Sequence, residues 1–101
     1  MRMIKKLAGQ IEEEIEDAMK YARCAASHKD SDPELSRMWA ELSEQELKHM
    51  SRLHDAVVTL IDRARNEGAE VPAGMMEMYE YLHERNIEKV AEVRMTLQEA
   101  R

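Results

Sequence analysis

The sequence predicts an all-α protein: a three-helix antiparallel bundle in which two long helices form a core hairpin and a third follows toward the C-terminus. Three observations predict it. Apolar residues recur at three-and-four spacing along most of the 101 residues, and the composition is that of helices, with only 3 Gly and 2 Pro. The breaks in the pattern fall at two short stretches rich in turn-forming residues. A chain this short forms one domain, 1–101, and leaves much of its surface exposed, so association with further copies is expected.

The first helix is expected over 3–28. Ile4, Leu7, Ile11, Ile15, Ala18, Ala22 and Ala25 fall on one face. It ends in the polar run His28-Lys29-Asp30-Ser31-Asp32-Pro33, which also begins the second helix. The Asp32 carboxylate can cap free N–H groups there, and proline at the first helical position loses no hydrogen bond. The second helix is expected over 33–66, with Leu35, Met38, Trp39, Leu42, Leu53, Val57, Leu60, Ile61 and Ala64 as its stripe. At a rise of 1.5 Å per residue it is roughly 50 Å long. Gly68 supplies its C-terminal stop and opens a linker to Gly74. The third helix is expected over 75–99, its stripe formed by Met78, Tyr79, Leu82, Ile87, Val90, Val93 and Leu97. Connections this short make successive helices antiparallel. The chain has 9 Met, and those at stripe positions are read as core packing.

Charged residues make up 36% of the chain and the formal net charge is -6. That argues against general nucleic-acid binding, which needs a basic patch, and is compatible with a cationic partner such as a metal ion. The single cysteine, Cys24, has no intramolecular disulfide partner and is read as a packing residue in a reducing compartment. The basic start, Met1 to Leu7, is interrupted by Gln10 and Glu12 to Glu14 before an apolar segment forms, so it is not a signal peptide. No apolar run is long enough to span a membrane. A soluble, cytoplasmic protein is the expectation. No Gly-rich phosphate loop, nucleophile elbow or Ser/His/Asp pattern is present.

The chemistry lies in polar residues that interrupt the stripes. Extended as a heptad, the second stripe reads Leu35, Met38/Trp39, Leu42, Glu46, His49, Leu53, Ala56/Val57, Leu60, so Glu46 and His49 fill two successive positions where leucine is expected. In the first helix Glu14 fills one such position, and Tyr21 follows seven residues later on the same face. A carboxylate in a helix seam loses its hydration and needs a hydrogen-bonding or cationic partner. Residues three apart project from one face about a turn apart, so Glu46 and His49 can approach a single ion. Carboxylates with a few imidazoles suit iron or manganese. The spacing alone is weak: among so many glutamates, the 4 His would follow a Glu in this way roughly 0.6 times by chance. A second match, Glu80-Tyr81-Leu82-His83, is present. The metal-free reading is a buried polar cluster in which His49 hydrogen-bonds a carboxylate.

Glu14 to Tyr21, the small-residue run Ala22 to Ala26, Asp32-Pro33-Glu34-Leu35 and Glu46-Leu47-Lys48-His49 together resemble the ferritin-like superfamily, nearest its rubrerythrin-type and encapsulated-ferritin-type branches. The resemblance covers roughly residues 10 to 60. It implies Glu14 as a terminal or bridging ligand, Glu46 as a bridging ligand and His49 as a terminal one. Tyr21 is implied as the candidate catalytic residue, close enough to hydrogen-bond to the site or be oxidised. The implied activity is oxidation of Fe(II) by oxygen or peroxide. Bundle di-iron sites take a Glu from each of two helices and a Glu-x-x-His from each of two others, whereas this chain supplies one of each. A two-fold homodimer would complete the set as four Glu and two His around two iron ions, with manganese as the other metal the donors suit.

The chain departs from the encapsulated type, which carries a short tail with a cargo-loading peptide; here the third helix continues to Arg101. It departs from a full ferritin in having three helices where that has four. The third helix is therefore a spectator, a dimerisation arm or a ligand donor through Glu80, His83 or Glu84, with His83 nearest the stripe and taken as the fourth ligand. Glu13 and Glu16 are read as solvated neighbours of Glu14, His54 as a structural hydrogen-bonding residue, His28 as exposed, and Trp39 as a core or interface anchor. The alternative to an iron oxidase is a helical interaction module that dimerises through its apolar faces without metal.

Overall fold

The computed structural model describes residues 2–101; Met1 lies outside the described residues. It contains three helices, α1 (Arg2–Ser27), α2 (Pro33–Asn66) and α3 (Ala73–Glu99). Among the described residues there are no strands. The molecule is a rod of 56 × 18 × 17 Å, its length set by α2. Among the described residues no helix is long and apolar enough to cross a membrane.

The helix ends follow from local chemistry. Asp32 accepts a hydrogen bond from the Leu35 amide at 3.2 Å and Pro33 takes the first helical position, so α2 begins where expected. At its other end Gly68 has φ 75, a left-handed conformation that glycine adopts without steric cost. The Gly68 amide then reaches the Arg65 carbonyl and the Ala69 amide reaches that of Ala64, closing the last turn. α3 starts at Ala73 after Pro72, with no side-chain cap.

The core is built around α1, which contributes Ile4, Ile11, Ile15, Ala18, Ala22 and Ala25. The expected first stripe is therefore the buried one, except that Leu7 is half-buried. The stripe of α2 differs from expectation in its N-terminal half. Leu35 and Met38 are exposed, and the buried line is Ser36, Ala40, Ser43 and Leu47, one residue further along. The reason is size. Small side chains on α2 meet Ala18, Ala22 and Ala25, letting the two helices approach closely, and the larger Leu35, Met38 and Leu42 turn to the edge. Two hydrogen bonds fix this seam: Ser36 Oγ donates to the Ala25 carbonyl and Ser43 Oγ to the Ala18 carbonyl, both at 2.7 Å. As α2 advances it thus meets earlier residues of α1, as the turn over 28–32 requires.

In α3 the buried residues are Tyr79, Asn86, Val93 and Leu97, while Met78 and Ile87 from the expected stripe are exposed. This helix packs on α1 away from the side that carries Glu14, with Val93 and Lys89 beside Ile15 and Met19.

Candidate metal centre

Glu14 precedes Ile15 and Glu46 precedes Leu47, each about 100° around its helix from that buried neighbour. They therefore sit at the edge of the α1–α2 seam, with side chains 25% and 20% exposed, and His49 beside them is 55% exposed. The expectation that Glu46 and His49 fill the buried stripe is corrected accordingly: the one-residue shift of α2 that buries Ser43 and Leu47 turns this pair toward the open side.

The three residues nonetheless converge. His49 Nδ1 lies 3.5 Å from Glu14 Oε2 and 3.6 Å from Glu46 Oε2, too long for good hydrogen bonds. One ligand atom from each of Glu14, Glu46 and His49 lies within 4.8 Å of the other two. Glu14 Oε2 is sealed from solvent and has no hydrogen-bond partner among the described residues. An orphaned carboxylate oxygen facing an imidazole nitrogen and a second carboxylate is the arrangement a cation resolves, and the donor set suits iron or manganese.

Tyr21 is half-buried on the same side of α1, seven residues and so about 10 Å along the helix beyond Glu14. Glu13 and Glu16 are exposed. His28 is exposed in the turn, its ring 4.9 Å from that of Trp39.

The structure does not bring His83 into this group. His83 stacks on His54, ring centroids 4.6 Å apart and planes at 12°, and the Tyr79 hydroxyl shares a 2.7 Å hydrogen bond with His54 Nδ1. These rings line a separate cavity of about 270 Å³ between the helices, together with Asn86 and Met50. The register of α3 is the reason: with Tyr79, Asn86 and Val93 inward, His83 meets α2 around His54, five residues past His49. Glu80 and Glu84 are exposed. Burial, then the charge of His83, holds the His54 imidazole below the usual histidine range, with Asp55 opposing; burial pushes the Tyr79 phenol up. Sequence reasoning missed Tyr79 as the partner of His54, and Asn86, whose buried Oδ1 has no hydrogen-bond partner. The available signal was the seven-residue spacing Tyr79, Asn86, Val93.

No family model matches this chain, and neither a curated protein nor a solved structure matches it.

Proposed function

We propose that the chain is a ferritin-like di-iron protein that oxidises Fe(II), as a ferroxidase or peroxide scavenger, at a carboxylate–histidine site completed by homodimerisation. The observation that carries this reading is Glu14 Oε2, buried without a partner 3.5 Å from His49 Nδ1. Burying a carboxylate oxygen in that state is costly, and a cation held between Glu14, Glu46 and His49 offsets the cost. One chain offers three donor residues. A second copy related by a two-fold axis, in the antiparallel ferritin-type arrangement, would bring the set to four Glu and two His for two ions.

Fe(II) is the substrate, and iron held there supplies the redox chemistry with oxygen or peroxide. The chain's own residues do the rest. Glu14 and Glu46 bind and balance the cationic charge, and His49 supplies the imidazole donor. Tyr21, two turns beyond Glu14 on α1, is the residue this reading assigns to be oxidised near the site.

The test is aerobic loading with Fe(II), read by metal content and thermal unfolding. A ligand at a hundredfold excess over its Kd stabilises by about 2.7 kcal/mol, which for a chain of this size raises Tm by about 10 °C or more. Glu46→Ala is expected to abolish the rise. Metal content near zero, with a Tm indifferent to iron and manganese, contradicts the proposal. The exposure of Leu35 and Met38 favours one other reading, an interaction module that dimerises through this side without metal. Under that reading Glu14→Leu and His49→Leu are neutral or stabilising.

A further inference from the structure

A second constellation lies where α2 meets α3, in a groove of about 420 Å³ lined by Glu44, Leu47, Lys48, Ser51, Arg52 and Arg94. Its charge runs against that of the molecule. The chain carries a net charge of -6, yet three cationic side chains from two helices share this one groove with a single carboxylate. That carboxylate is already engaged, because Arg101 pairs with Glu44. None of Lys48, Arg52 and Arg94 forms an ion pair among the described residues.

The sequence leaves these cations without partners by design of spacing. Arg94 has Val90, Ala91, Leu97 and Gln98 at the positions three and four away, none of them acidic. Lys48 and Arg52 are four apart and so stand over one another, a like-charge pair that destabilises a helix unless an anion lies between them. At the positions three and four away, Lys48 has only Glu44 as an acid and Arg52 only Asp55. Ser51 adds a hydroxyl, and buried Leu47 gives the groove an apolar floor.

We propose that this groove binds a phosphate group, as free inorganic phosphate or as a phosphomonoester. Two guanidiniums, one ammonium and a hydroxyl supply the forked and point donors that a tetrahedral dianion accepts. Binding removes the mutual repulsion of Lys48, Arg52 and Arg94 and ties the C-terminal half of α3 to α2. The site is separate from the Glu14–Glu46–His49 cluster and does not rest on it.

The test is an amide NMR titration of the full chain at constant ionic strength with inorganic phosphate, with glycerol 3-phosphate and with chloride. Saturable shifts confined to Lys48, Ser51, Arg52 and Arg94 are expected with a phosphate probe and not with chloride. Saturation by inorganic phosphate assigns the free ion. Saturation by the ester alone assigns a phosphomonoester whose carbon portion rests on Leu47. Arg94→Gln, an exposed change that leaves the core intact, is expected to weaken binding about tenfold. Shifts as large with chloride, the absence of saturation with both phosphate probes, or an unchanged affinity in Arg94→Gln overturns the proposal.

Discussion

Glu14 is the residue at which stability and proposed function pull in opposite directions. Its Oε2 is sealed and unpaired, so without metal the carboxylate costs stability. Glu14→Gln is therefore expected to stabilise the metal-free protein by about 1 kcal/mol while removing the iron-dependent gain. Urea unfolding with and without Fe(II) checks both signs; a variant less stable without metal contradicts the account of the orphaned oxygen. His54 contributes a pH dependence in the acid range. Its affinity for protons is lowered by burial and then by His83, so in acid the unfolded chain binds more protons than the folded one. Stability is then complete above the ordinary histidine value of about 6.5 and falls as pH drops through that value toward the folded one. Urea midpoints are expected to hold between about pH 7 and 8 and to decline by about pH 5.5, with a shallower decline in His54→Gln. Glu14, Glu46 and His49 were legible as interruptions of apolar stripes. The α2 stripe lies one residue over, yet the three still converge because a one-residue shift leaves them at the edge of the same seam. The partner of His83 was not legible, because it depends on which of two adjacent faces of α3 turns inward.

Among the elements, the seam between α1 and α2 decides the geometry. Its buried line on α2 is Ser36, Ala40, Ser43 and Leu47, a sequence that reads as polar beside the more hydrophobic Leu35, Met38 and Leu42. Hydrophobicity therefore points to the wrong face by one residue, while helix ends, read from Asp32-Pro33 and Gly68, fall where expected. Close approach favours small residues, and each serine hydroxyl is satisfied by a carbonyl of α1. Ser43 is 0% exposed, so its substitution tests the seam. Ser43→Ala is expected to cost about 1 kcal/mol for the lost hydrogen bond. Ser43→Leu is expected to cost about 3 kcal/mol by forcing the helices apart. Equal denaturant midpoints for the two variants would contradict a size-limited seam.

For the whole molecule, the consequence of a rod with α3 on one side is that the other side of α1 and α2 stays open. That side carries the candidate centre, and exposed Leu35 and Met38 lie on it. The number of helices and the span of α2 were legible from periodicity and caps. What covers the open side was not, since one chain's pattern does not separate an edge from an interface. If a second copy covers it, Met38→Glu is expected to shift sedimentation toward the monomer and to lower iron binding in parallel. Loss of association with iron binding unchanged would separate the two. The most direct measurement is anomalous scattering at the iron edge from crystals soaked with Fe(II). The account expects a peak within bonding distance of Glu14, Glu46 and His49 together; no peak there, or one only beside His54 and His83, would contradict it.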